Sequence, residues 1–329
     1  PASAPASASA APAPRCDRVT LVRSRDELAA ALAVDEGADR ADRADSVGGA
    51  DRVGGGDKTD RADRAAKAGS AGAARHSGDF AGAGGVPRAV VMTMGALHQG
   101  HFDLVAEAAR RVGADGTVVV TIFVNPLQFA AGEDLDAYPR TLEADVEGLT
   151  AALRAPGEDG LAVGRLIVFA PAPEVMYPNG EPSVRLDPGP IATVLEGATR
   201  PTHFAGVLQI VHKVLNLVRP DIAFFGQKDA QQLALIRTMV ADLDMPVEIR
   251  AVPIERDVDG LALSSRNSYL SPTERIEALA LNQALAVGAD AAQRGLSPKE
   301  VRDVAERHLR EAPGVKIDYL ALVDPETFA

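Results

Sequence analysis

Apolar residues along the chain fall into short runs separated by longer stretches of helical spacing. Residues 18–22 form a β-branched run, and Ser24-Arg25-Asp26-Glu27 behind it is a capping box opening a helix through Ala33. Residues 89–93 form a second short run. Residues 117–124 form a third that is almost unbroken, as expected of a parallel strand covered on both faces. Residues 166–169, 222–225 and 247–252 complete the strand candidates. Between them, 102–112, 142–153, 206–218 and 230–243 read as helices; Phe102, Val105, Ala108, Ala109 and Val112 share one face of the first. This β-α-β-α order predicts an α/β fold, a doubly wound parallel sheet of Rossmann type, over residues 17–253.

The texture changes near Pro253. A polar loop, two helices (273–294 and 298–311) and a final strand near 316–323 predict a smaller C-terminal α+β domain, 254–329, which closes against the first domain to cover its core. Two stretches lack the apolar residues needed to offset the entropy of ordering. Residues 1–16 are rich in Ala, Pro and Ser and read as a disordered tail, not a signal peptide. Residues 36–85 contain Ala-Asp-Arg units followed by Gly, Ala and Ser. They read as a disordered insertion: Asp and Arg can pair at helical spacing, but the glycine clusters oppose a long helix.

Composition narrows the function classes. Among 329 residues, 34 Lys and Arg stand against 46 Asp and Glu, a net charge of −12. That argues against a broad nucleic-acid footprint while allowing a local basic pocket for a small anion. No segment approaches the roughly 20 apolar residues of a membrane span, so no membrane partner is expected. The single cysteine, Cys16, excludes an internal disulfide and a cysteine-based zinc cluster, and suits a reducing cytoplasm.

Four segments carry candidate chemistry, each at a strand end or in a loop. The first is Thr93-Met94-Gly95-Ala96-Leu97-His98-Gln99-Gly100-His101, between a strand and a helix start. In open α/β sheets ligands bind at the carboxyl ends of strands, and helix starts attract phosphate. Two histidines in an HxGH arrangement can both face such a ligand, and at a strand-to-helix turn this outweighs a role in capping and packing only; no third ligand points to a metal pair. The second is Gly226-Gln227-Lys228-Asp229, where Lys228 can neutralise phosphate and Asp229 can cap a helix or accept from a ribose hydroxyl. The third is Leu263-Ser264-Ser265-Arg266-Asn267, two hydroxyls and a guanidinium, or else an ordinary polar loop. The fourth is Asn125-Pro126-Leu127-Gln128, whose amides can orient a polar substrate, or which simply turns at Asn-Pro.

Together these motifs follow the layout of adenylating nucleotidyltransferases. The strings TMGALHQGH (93–101), FVNPLQF (123–129), DLDAYPRT (134–141), RPTHFAGV (200–207), RPDIAFFGQKDAQQL (219–233) and DGLALSSRNSYL (259–270) resemble the pantoate–β-alanine ligase family over nearly everything from Asp17 to Phe328, outside the insertion. The resemblance implies ATP-dependent condensation of pantoate with β-alanine through a pantoyl adenylate, with Mg²⁺, releasing AMP and pyrophosphate. It implies that Met94, Gly95, Ala96, Leu97, His98, Gln99, Gly100 and His101 line the ATP site, with His98 and His101 near the phosphates and His101 as proton donor. Gly226, Gln227, Lys228 and Asp229, and Leu263, Ser264, Ser265 and Arg266, supply the other nucleotide contacts; Glu255 offers mainly backbone to adenine. Gln128 and Gln232 hold pantoate, with Gln128 also bordering the β-alanine position; Asn125 joins them on the reading of its amide given above. His98, His101, Lys228, Ser264, Ser265 and Arg266 then form the catalytic set, and a homodimer is the assembly that the family suggests.

Three positions depart from the family pattern. Met92 replaces a usual Pro, which leaves the neighbouring loop less rigid, and Gln99 and Gln227 replace glutamates. Another HxGH adenylyltransferase would share the phosphate site but gives no reason for the Asn125, Gln128 and Gln232 amides. A tRNA synthetase is disfavoured by the acidic charge, and a silent nucleotide-binding scaffold would not consume ATP in response to pantoate.

Overall fold

The computed structural model describes residues 19–46, 86–154, 163–325 and 328. Six parallel strands form one sheet: β1 (Val19–Val22), β2 (Arg88–Thr93), β3 (Thr117–Ile122), β4 (Arg165–Phe169), β5 (Ile222–Gly226) and β6 (Glu248–Val252), in the order β1-β4-β3-β2-β5-β6. All six coincide with expected runs. Successive strand residues point to opposite faces. Val90, Val119, Ile167 and Ala223 meet helices α1 (Arg25–Ser46), α6 (His203–Val218) and α7 (Ala230–Asp242); Val91, Val118, Val120, Leu166, Val168 and Phe224 meet α2 (Gln99–Val112) and α3 (Leu142–Arg154). The chain moves one way from β2 to β4 under α2 and α3, and the other way through β5 and β6 under α6 and α7. This is the two-faced winding that right-handed crossovers impose. The order therefore reverses between β2 and β5, and the short helices α4 (Pro173–Met176) and α5 (Glu196–Thr199) lie in the connection from β4 to α6.

The Ser24 box forms: Ser24 Oγ accepts from the Glu27 amide, and Glu27 Oε2 accepts from the Ser24 amide. The helix it opens does not stop at Ala33 but runs to Ser46, so part of the expected disordered insertion is helical. The Ala-Asp-Arg repeat sets Asp39 and Arg43 four apart, and the glycine pairs that end helical propensity begin only at Gly48. The rest of the insertion and the N-terminal tail lie outside the described residues. Met92 sits within β2 opposite Thr121, inside the expected 89–93 run.

Beyond β6, α8 (Pro272–Gln293) and α9 (Pro298–Glu311) pack through Ala280, Ala284, Ala305 and Leu309. Both open with Ser-Pro-x-Glu boxes, at Ser271–Glu274 and Ser297–Glu300. The expected strand near 316–323 is irregular chain instead. Its apolar residues Val315, Ile317 and Leu320 cover the α8–α9 contact, and among the described residues no sheet edge pairs with its backbone. Among the described residues, too, no helix is long and apolar enough to cross a membrane.

At the amino ends of the central strands, Asp35 of α1 is 5% exposed. It bonds Arg88 of β2 at 3.0 Å, Arg165 of β4 at 2.6 Å and the Thr117 hydroxyl of β3 at 3.1 Å. Removing one partner from a buried ion cluster strands the others, so Asp35→Ala should lower the unfolding free energy by about 3–5 kcal/mol. Urea titration measures this, and the catalytic rate of the folded variant should be unchanged because the cluster lies at the far edge of the sheet.

Candidate active site

The reversal of strand order leaves a crevice at the carboxyl ends of β2 and β5, where open α/β sheets bind ligands. A cavity of about 270 Å³ lies there. Met94, His98, Gly100 and His101 enter it from the β2–α2 loop, Gly226, Lys228, Asp229 and Gln232 from the β5–α7 turn, and Asn125 and Gln128 from the loop after β3. Glu255, Leu263, Ser264, Ser265 and Arg266 reach it from the chain beyond β6, and its apolar wall includes Val207, Val211 and Val214 of α6. The four motif segments, far apart in sequence, thus share one cavity. Gly95, Ala96, Leu97, Gln99 and Gln227 are not among its lining residues. The Gln99 amide donates to Asp103 on the exposed face of α2, and Gln227 is exposed.

The Gly95–Leu97 turn is held from below. Gly95 and Ala96 have φ of 87° and 50°, a left-handed pair that an alanine adopts only at a cost of about 1–3 kcal/mol. The carboxylate of Asp145, in the first turn of α3 and 3% exposed, accepts from the amides of Ala96 (3.0 Å) and Leu97 (2.8 Å) and from the Thr141 hydroxyl (3.1 Å). These two amides therefore serve the loop and not a phosphate. The sequence displays Asp145 only as an ordinary acidic residue of a helix start, and nothing local ties it to the turn.

His101 stands three residues into α2 and turns its Nδ1 back to accept from the His98 amide at 3.2 Å. With Nδ1 an acceptor, the neutral ring carries its proton on Nε2. The two imidazole centroids lie 4.1 Å apart, and among the described residues Nδ1 of His98 is buried without a hydrogen-bond partner. Burial first, then the His98 and Lys228 charges, lower the His101 pKa from 6.5 to about 3; burial and Lys228 also lower that of His98. The pair therefore meets an anion as neutral N–H donors. The cations near the cavity already have partners: Lys228 bonds Asp229 at 3.2 Å, and Arg266 bonds both oxygens of Asp134 at 2.8 and 3.0 Å. Tyr138 meets Ser265 Oγ at 3.2 Å, so the DLDAYPRT segment ties the Ser-Ser-Arg loop to the Rossmann-like part.

On the other side of the cavity, Gln128 is clasped through its backbone carbonyl, which accepts from Arg200 at 3.3 Å and faces His203 Nδ1 at 2.9 Å. Gly206 lets α6 touch this loop, since a Cβ there would lie 2.1 Å from the Leu127 carbonyl oxygen. The tandem glutamines divide their work. Gln231 is buried and bonds the carbonyls of Ile191 and Val194, whereas Gln232 lines the cavity.

The family model described as pantoate-beta-alanine ligase matches residues 75–329. The chain belongs to this family. It is 51% identical to the pantothenate synthetase of Streptomyces coelicolor over 73% of this chain and 81% of that one. It is 54% identical to that of Mycolicibacterium vanbaalenii over 71% and 70%. Among solved structures, pantothenate synthetase from Thermus thermophilus superposes with a TM-score of 0.66 at 45% identity, covering 74% of this chain and 83% of that one. The Francisella tularensis pantoate-beta-alanine ligase, described as complexed with beta-gamma ATP and beta-alanine, shares the fold at a TM-score of 0.59 and 24% identity over 89% and 87%.

Two outcomes are expected from this geometry. Asp145→Ala leaves the part-buried amides of Ala96 and Leu97 unpaired and should destabilise the protein by about 1–3 kcal/mol in urea titration. His101 binds its proton far more weakly folded than unfolded, so it contributes stability above pH 6.5 that disappears as pH falls toward about 3. His101→Ala should therefore flatten the acid limb of the stability–pH curve over that window, and imidazole ¹⁵N resonances should show the Nε2–H form of His101 persisting through it.

Proposed function

We propose that the protein condenses pantoate with β-alanine at the expense of ATP, forming pantothenate, AMP and pyrophosphate through a pantoyl adenylate. The observation carrying this reading is one cavity lined by both phosphate donors and carboxamides. His98, His101, Lys228, Ser264, Ser265 and Arg266 line it together with Asn125, Gln128, Gln232 and the α6 valines. Asn125, expected to join them, spends its amide within the protein on Tyr177, Gly206 and Gln128, so the carboxamides of Gln128 and Gln232 are the ones that suit the carboxylate and hydroxyls of pantoate, and the valines suit its two methyl groups.

A carboxylate resists attack by an amine until its oxygen becomes a leaving group. A pantoate carboxylate oxygen attacks the α-phosphorus of ATP, and pyrophosphate departs. The β-alanine amine then attacks the acyl carbon, loses a proton and expels AMP. Charge accumulates on the α-phosphate oxygens during the first step, where fixed donors act most strongly. The neutral Nε2–H of His101 is such a donor, with the cations of Lys228 and Arg266 released from Asp229 and Asp134 to the phosphates. No step requires a protein nucleophile.

Mg²⁺ fits this site as an ion carried by the nucleotide. Among the described residues no three His, Cys, Asp or Glu side chains gather to hold a metal, and Mg²⁺ commonly keeps phosphate oxygens and water as ligands. Asp229 and Glu255 are the carboxylates that line the cavity and would approach it, and the ion would screen phosphate charge. The same reading takes the part beyond Pro253 as a smaller domain whose Ser-Ser-Arg loop closes on ATP. It takes the protein as a cytoplasmic homodimer, on the strength of the family resemblance.

Pantoate and Mg·ATP alone should support pyrophosphate–ATP isotope exchange; exchange that required β-alanine would overturn the order of steps. His101→Ala should reduce kcat by about 10²–10³ with ATP binding little changed, as loss of one transition-state donor does. Gln128→Ala should mainly raise KM for pantoate. His308→Ala, on exposed α9 beside Gln283, should be near neutral in the same steady-state assays.

A further inference from the structure

Tyr177 is not among the cavity-lining residues, yet its phenol reaches the cavity's amide side. It follows the short helix α4 (Pro173–Met176) after β4 and is 8% exposed. Its ring packs against Phe123 at 6.1 Å between centroids, with Lys213 Nζ 5.4 Å from the ring centre. Its hydroxyl donates to Asn125 Oδ1 at 2.8 Å. Burial raises the Tyr177 pKa, so the phenol keeps the proton it donates.

Asn125 is 1% exposed and passes this polarity on. The Gly206 carbonyl can only accept and takes a hydrogen from Asn125 Nδ2 at 3.1 Å. The Leu127 amide can only donate, but its contact with Oδ1 is long, at 3.4 Å. The phenol is therefore the strong partner of Oδ1. The second Nδ2 hydrogen goes to Gln128 Oε1 at 3.1 Å. With its oxygen committed there, Gln128 turns Nε2 toward the cavity, where among the described residues it meets only the Met94 sulfur at 3.1 Å. A thioether is a weak acceptor, so exchanging it for a ligand oxygen is favourable.

We propose that Tyr177 is a positioning residue: through Asn125 it holds Gln128 as a hydrogen-bond donor toward the substrate's oxygens. This rests on the reading of the Gln128 side of the cavity as the pantoate site. A substrate that offered a donor at this point would be rejected, because the Gln128 oxygen is already engaged.

Tyr177→Phe keeps the ring contacts and removes only the hydroxyl. Its melting temperature should fall by a few degrees at most, and KM for pantoate should rise about three- to tenfold with kcat and KM for ATP nearly unchanged. In a Gln128→Ala background the same substitution should add nothing to KM for pantoate, since the amide it orients is gone. An unchanged KM for pantoate in Tyr177→Phe, with a wild type that turns over ATP in response to pantoate, would overturn the positioning role alone. So would a uniform loss of all parameters, or an undiminished effect in the Gln128→Ala background. A wild type without pantoate-dependent ATP turnover would overturn the functional reading and this proposal with it.

Discussion

The reversal of strand order between β2 and β5 is the constraint on which the rest of this molecule depends. A parallel sheet needs helices on both faces, and right-handed crossovers oblige the chain to change face when it changes direction. At the reversal, α2 leaves on one face and α7 on the other, which opens a gap at the carboxyl ends of their strands. The HxGH loop and the Gly226–Asp229 turn therefore confront each other because of winding, before any contact between them is considered. At the opposite edge the Asp35 cluster ties α1 to the starts of β2, β3 and β4, so charge is buried there for anchoring and not for chemistry.

Around the crevice, polar groups are committed in advance, and their commitments determine what remains for a ligand. Asp145 occupies the amides of Ala96 and Leu97 and leaves the histidine rings as the loop's contribution. His101 turns Nδ1 to the start of its own helix and keeps Nε2–H free for the cavity. Asn125 occupies the Gln128 oxygen and leaves its nitrogen. Each is a case of a buried donor or acceptor finding a partner because leaving it unpaired is costly. The lowered pKa values of His98 and His101 follow the same logic: burial and the nearby Lys228 favour neutral rings, and neutral rings can donate without first taking up a proton. The acidic partners of Lys228 and Arg266 hold those cations at the cavity.

The strands, most helices and the four motif segments were legible in the amino-acid sequence because they depend on local regularities: apolar runs, helical spacing, capping boxes and glycines at turns. Family resemblance then named the chemistry. The sequence also carried misleading local signals. Glycine-rich composition after Glu36 hid the helical stretch that continues to Ser46, and alternating apolar residues near 316–323 suggested a strand. A strand exists only where another edge takes its backbone hydrogen bonds, and those residues cover helices α8 and α9 instead.

What only the tertiary structure decided is which polar groups are already engaged. Asp145, Tyr177, Arg200 and His203 act on residues 48 to 75 positions away, and their hydrogen bonds have no periodicity to betray them. Local sequence determines the backbone's course because its interactions are between near neighbours; the direction in which a catalytic side chain can donate is set by partners that meet only after the sheet has wound.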